Sequence, residues 1–266
     1  MPPADDLAQL LTLDPIKPDA WVGTGPDLGW GRIYGGLIVA QALRAATLTV
    51  PLDRPVHSLH AYFIRAGDEH QNVLFEVERL RDGRSFSTRQ VIAYQSSGAI
   101  LNLIASFQDH EPDNPDVATR VPPPDQVNPD EIVPRPTQLL FEHRVVRPAT
   151  AAGGEALTWL RALGDLGDDP AVHACAVAYL SDEDLLGVAI AAHPLAEQWE
   201  QMMAASLDHA VWFHRPARAD DWLLFSVEHH GMANARGLAI ARVFDTDGNH
   251  VATVAQEGLG RRLKKR

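Results

Sequence analysis

The chain has 266 residues, 45% of them hydrophobic, with 35 acidic against 23 basic side chains and a formal net charge of −12. That apolar fraction supports a sizeable core and excludes a disordered chain, and the length suits one large domain or two small ones. So acidic a surface repels nucleic-acid backbones, and the short basic run Arg261-Arg262-Leu263-Lys264-Lys265-Arg266 reads as a solvated tail. The single cysteine, Cys175, excludes an internal disulfide and suits a reducing, cytoplasmic compartment. The opening Met1-Pro2-Pro3-Ala4-Asp5-Asp6 lacks a signal-peptide pattern, and no apolar run approaches the roughly 18 residues of a membrane span. A soluble protein without a membrane partner is expected.

In chain order, residues 35–49 predict a helix that is apolar nearly all round and therefore buried. Alternating runs at 56–65, 73–81, 85–95 and 100–108 predict strands, with turns at Arg81-Asp82-Gly83-Arg84 and Ser96-Ser97-Gly98. Residues 109–136, rich in proline and acids, read as a linker between a first unit, 1–108, and a second, 137–266. In the second unit a helix is expected at 182–192, with Ser181 as N-cap and Asp184 three residues on. Strands are expected at 207–215, 222–230, 237–245 and 251–258, with Asp247-Gly248 as a hairpin turn.

The two units repeat one another. Displaced by 150 residues, Ala61-Tyr62-Phe63-Ile64-Arg65 falls on Val211-Trp212-Phe213-His214-Arg215, and Val73-Leu74-Phe75-Glu76-Val77-Glu78 falls on Leu223-Leu224-Phe225-Ser226-Val227-Glu228. An antiparallel sheet wrapped on one buried helix, made twice, is an α+β architecture and fits a double hot dog.

Several chemistries are absent. No Gly-x-Ser-x-Gly elbow occurs, the nearest run being Gly83-Arg84-Ser85-Phe86-Ser87. Gly23-Thr24-Gly25-Pro26-Asp27-Leu28-Gly29 is one residue too long for a dinucleotide loop. His229 and His230 are adjacent and would point to opposite faces of a strand, so no metal site is expected. Cys175, in the apolar and strand-like run 172–177, reads as a packing residue.

The duplication serves as an internal control. Three positions of the second copy stand out: Asp208 (opposite Ser58), Gln256 (opposite Ser106) and His230 (opposite Leu80). A poorly solvated Asp208 suits a general base, and a buried Gln256 suits water orientation or oxyanion donation. Each also has an ordinary reading, as a strand-start carboxylate, a satisfied amide or an edge histidine. At Gly35-Gly36 the first helix starts without an acid, which would leave its N–H groups free for a carbonyl or phosphate; close packing is the alternative.

At these residues the sequence resembles the acyl-CoA thioesterase II family over nearly its whole length. The likeness rests on Gly31-Arg32-Ile33-Tyr34-Gly35-Gly36, Val56-His57-Ser58-Leu59-His60-Ala61-Tyr62-Phe63-Ile64-Arg65, Leu207-Asp208-His209-Ala210-Val211-Trp212-Phe213-His214-Arg215-Pro216, Ala235-Arg236-Gly237 and Ala255-Gln256-Glu257-Gly258. It implies a double hot dog that hydrolyses acyl-CoA without a cofactor or metal, assembled as a homo-oligomer. It also implies a catalytic Asp, Thr or Ser, and Gln around a water, with Gly35, Gly36 and Arg236 as substrate contacts. The Asp then falls on Asp208, the Gln on Gln256, and the hydroxyl position on His230, where the hydroxyl is missing. Two alternatives stand beside it: a hot-dog enoyl-CoA hydratase, for which Asp113-Asn114-Pro115-Asp116 is only a motif fragment, and a non-catalytic acyl-CoA-binding protein.

Overall fold

A computed structural model describes residues 6–111, 113, 127–150, 154–191, 193–196, 198 and 201–263. Unit one opens with a single helical turn, α1 (Leu7–Leu10), and a short hairpin, β1 (Asp14–Lys17) and β2 (Ala20–Gly23). Helix α2 (Gly35–Thr47) follows, then β3 (Val56–Phe63), β4 (Val73–Asp82), β5 (Phe86–Gln95) and β6 (Gly98–Gln108). Unit two begins with β7 (Phe141–Arg147) and β8 (Glu155–Ala162), continues through α3 (Pro170–Leu180) and α4 (Leu185–Ala189), and ends with β9 (Met202–Ser206), β10 (Asp208–Phe213), β11 (Leu223–Ala233), β12 (Arg236–Phe244) and β13 (His250–Arg262). The order hairpin, helix, strands is thus repeated, as a double hot dog requires.

All the strands join one antiparallel sheet in the order β1-β2-β4-β5-β6-β3-β10-β13-β12-β11-β8-β7, with β9 added on β13. The units meet where β3 pairs β10, Leu59 opposite Val211. Alternate residues of each strand face the helices: Leu59, Ala61, Phe75, Val91, Leu103 and Phe107 in unit one are almost wholly buried. Burying each such leucine or phenylalanine contributes about 1.5–3 kcal/mol. Helix α2 is covered on nearly every side, as its apolar sequence predicts. Its one buried amide, Gln41, donates to the carbonyls of Leu10 and Thr24 at 2.7 and 2.8 Å.

The structure corrects three expectations. Of the helix expected at 182–192 only the short α4 forms, after a break, and the main helix of unit two, α3, lies before it; Asp169 is its N-cap, accepting from Ala171 N–H, and Ser181 is a C-cap. Cys175 therefore lies in a helix, though buried as a packing residue. The repeat also slips by one residue at its last strand. Val91 pairs Leu103, whereas its counterpart Ala241 pairs Val254, because eight residues separate the paired Val243 and Ala252 where seven separate the paired Ala93 and Leu101. A slip of one reverses which face each side chain takes. The inward counterpart of Gln256 is thus Ala105, not Ser106.

Of the linker, residues 112 and 114–126 lie outside the described residues. Its later part is more than a spacer. Trp159 Nε1 donates to the Val127 carbonyl at 2.9 Å, and Ile132 packs on Leu157, Trp159, Trp222, Leu224 and Phe244 on the sheet's other face.

Candidate active site

The break between α3 and α4 spans residues 181–184. Asp184 there adopts a left-handed φ of 62°, and its Oδ2 accepts from His143 Nε2 at 3.0 Å and Thr158 Oγ1 at 2.9 Å. A carboxylate anchored on two strands holds the turn in a conformation that a β-carbon disfavours. The turn aims Asp182 at the start of α2, across the boundary between the units.

Asp182 Oδ2 accepts from the Gly36 N–H at 2.9 Å, and its Oδ1 accepts from Gln256 Nε2 at 3.0 Å. The same Gln256 nitrogen donates to Ser206 Oγ, on β9. Gln256 Oε1 faces His209 Nδ1 at 3.3 Å, and His209 Nε2 meets Ser181 Oγ at 2.8 Å. Gln256 and His209 are fully buried. Sheet register explains the cluster: Ala210 lies opposite Ala255, so His209 and Gln256 point inward side by side, while β9 brings Ser206 alongside β13.

Burial pushes the Asp182 carboxyl up to about 7, against the opposing pull of the Gln256 and Gly36 hydrogen bonds and the Arg32 charge. Burial likewise holds the His209 imidazole down, to about 4, so it is neutral. A carboxylate with that basicity, next to a hydroxyl, an amide and the positive end of a helix, can take a proton from water near neutral pH.

Glycine is needed at both positions that open α2. A Cβ on Gly35 would lie 2.7 Å from Asp182 Oδ2, and one on Gly36 2.4 Å from the Tyr179 carbonyl. The expectation of an uncapped helix start is corrected: the acid arrives from the other unit.

Of the residues singled out in the sequence, Gln256 stands in this cluster and Gly35 and Gly36 border it; Asp208, His230 and Arg236 do not. Asp208 shares the outward face with Ala210 and Trp212, and its Oδ1 accepts from the Glu257 N–H at 2.7 Å. Burial raises its pKa, and the hydrogen bond ties the start of β10 to β13. His230 lies in the bulge of β11 between His229 and Met232, its side chain 42% exposed and 3.9 Å from Glu228. Arg236 pairs with Glu257 on the outward face at 2.9 Å. The hydroxyl that does reach Gln256 is that of Ser206. Asp182, Ser206 and His209 went unnoticed although Val56 and Leu59, at the same repeat offset, offer the contrast of apolar for polar that exposes two of them.

Ligand atoms of His143, Glu183 and Asp184 also converge within 4.8 Å of one another. Arg135 lies 3.6 Å from Asp184 Oδ1, so a guanidinium already offsets part of that charge.

Two family models match the chain: an acyl-CoA thioesterase N-terminal domain over residues 26–108 and an acyl-CoA thioesterase over residues 136–259. The chain is 37% identical to mouse acyl-coenzyme A thioesterase 8, covering 95% of this chain and 88% of that protein. It is 33% identical to acyl-CoA thioesterase 2 of Haemophilus influenzae, covering 96% of each. Among solved structures it resembles an acyl-CoA thioesterase II, TesB2, from Mycobacterium marinum, with a TM-score of 0.83 and 34% identity over 97% of this chain and 98% of that one.

Proposed function

The chain belongs to the acyl-CoA thioesterase family, and on that premise we propose that it hydrolyses acyl-CoA to free acid and CoA at Asp182, Ser206 and Gln256. One observation carries the reading: a single carboxylate, Asp182, touches both the start of α2 and the amide of Gln256.

A thioester needs no covalent nucleophile, because thiolate is a good leaving group. Water held by Asp182 and Ser206 attacks the thioester carbonyl carbon, and Asp182 takes its proton. As the carboxylate is protonated, its hold on the Gly36 N–H weakens. That N–H, at the positive end of α2, is then available to the oxygen on which charge develops; one such donor is worth about 3 kcal/mol. Collapse of the tetrahedral intermediate breaks the C–S bond, and the thiolate recovers the proton from Asp182. Gly35 supports the same step by letting substrate and carboxylate approach the helix end.

Thiol release from a panel of acyl-CoA chain lengths, followed across pH, tests this. Activity should rise with pH as Asp182 loses its proton near 7, and fall on the acid side. An acid limb at an ordinary carboxylate pKa, near 4, would count against it. With crotonyl-CoA, loss of the conjugated band without thiol release would favour the hydratase reading instead. Binding without turnover of any acyl-CoA would favour the non-catalytic one, which the Ser206 hydroxyl makes less attractive.

Tyr62, Ile104 and Trp212 expose apolar surface on the outward sheet face, which supports a homo-oligomer, to be checked by sedimentation. The acidic composition and the lone buried thiol support a cytoplasmic enzyme of fatty-acid metabolism.

A further inference from the structure

We infer that His209 is a positioning residue that fixes which end of the Gln256 amide faces Asp182 and Ser206. The inference rests on the role proposed above for Gln256. An amide group has nearly the same shape either way round, so only its partners decide between nitrogen and oxygen. Both N–H groups of Gln256 are committed, to Asp182 Oδ1 and to Ser206 Oγ, which leaves Oε1 toward His209 Nδ1. That contact attracts only if Nδ1 carries a hydrogen.

The ring is buried and neutral, so it has one proton to place. With Nδ1 protonated, Nε2 is an acceptor and needs a donor. Ser181 Oγ, at 2.8 Å, supplies it. The Ser181 hydroxyl also lies 3.0 Å from the Ala178 carbonyl, but donating there would demand a proton on Nε2 and leave Nδ1 bare against Oε1. Two facing lone pairs repel, and the amide would rotate, turning its oxygen onto the Asp182 carboxylate. With Asp182 ionised, one arrangement leaves no facing lone pairs along the chain: Ser181 donates to His209 rather than to the Ala178 carbonyl, His209 to Gln256, and Gln256 to Asp182, which also receives the Gly36 N–H. Unit one has no such chain, because Leu59 and Ala105 stand opposite one another where unit two has His209 and Gln256.

The test combines turnover with the state of the ring. His209→Leu removes the donor and should lower kcat about 30-fold or more with KM little changed, the scale expected when a transition-state donor is misdirected. His209→Asn can return an N–H at the place of Nδ1 and should recover most of that loss. Thermal melts establish that each variant is folded. In the wild-type enzyme, 15N spectra of labelled imidazoles, with His209 assigned by its absence from His209→Asn, should show a protonated Nδ1 and a bare Nε2. Ser181→Ala should move that proton toward Nε2 and lower kcat. Asp182→Asn serves as reference. If it is inactive while His209→Leu keeps wild-type kcat, the role of His209 is overturned alone. If both keep full activity, the catalytic centre itself is overturned, and this role with it. Should His209→Leu fail to fold, an Nε2-protonated ring in the wild type still overturns the inference.

Discussion

The two units present the same pair of neighbouring strands to the same helical layer, and only one of them carries polar side chains on that inward pair. In unit one, Leu59 lies opposite Ala105 and both are buried among apolar neighbours. In unit two the equivalent pair is His209 and Gln256, joined to Ser181, Ser206 and Asp182. Duplication supplies the scaffold twice; polar substitution on one inward face makes a site once. The helices differ in the same sense. Helix α2 is continuous and ends its N-terminus against the boundary, whereas the helix of unit two breaks there and sends Asp182 across. The site therefore belongs to neither unit alone.

The comparison can be broken most sharply at Gln256. Gln256→Ala should reduce kcat by about 10²-fold or more, because it removes the donor to Asp182 and Ser206. The equivalent truncation in unit one, Leu59→Ala, should cost about 2–5 kcal/mol of stability by leaving a cavity, with kcat of the folded enzyme nearly unchanged. Loss of kcat without loss of melting temperature in Leu59→Ala would show that the two faces are not so different. A smaller effect, about tenfold in kcat, is expected for Ser206→Ala, since Asp182 still holds the water. Stability should also respond to pH. The folded Asp182 keeps its proton up to about 7, against an ordinary value of 3.8, so ionising it costs the folded state. Stability contributed by the protonated form is full below about 4 and lost as pH rises through about 7. Melting curves should show Asp182→Asn gaining on the wild type across that window; an unchanged difference would mean the carboxyl is not so buried. The least effect is expected from His230→Thr, which should leave the pH–rate profile superimposable on that of the wild type.

Much of the fold was legible because strand period, turn residues and an all-round apolar helix leave few alternatives. The strands from β3 to β6 and from β10 to β13 fall within a few residues of their expected places. Less of the site was. Its helix break was hidden because the apolar run at 172–177 reads as a strand and Ser181-Asp182-Glu183-Asp184 as a helix start, whereas the turn is held by the tie of Asp184 to His143 and Thr158, distant in sequence. With Asp182 placed inside a helix, Asp208 seemed the better acid. At Gln256 the two copies mislead for a different reason: one extra residue between the inner pairs of β12 and β13 matches it to Ser106 on the outward face. At His209 against Leu59 the uniform offset was right, and a buried histidine replacing a buried leucine was there to be read.

The central claim is that the carboxylate behind the chemistry is Asp182 and not Asp208. The direct measurement is kcat for acyl-CoA hydrolysis by Asp182→Asn and Asp208→Asn, side by side at pH 8, with melting curves for both. The account predicts a loss of about 10²-fold or more for Asp182→Asn, the usual worth of a positioned base, and near-normal turnover for Asp208→Asn. Near-normal turnover in Asp182→Asn, with the loss in a folded Asp208→Asn instead, would contradict it.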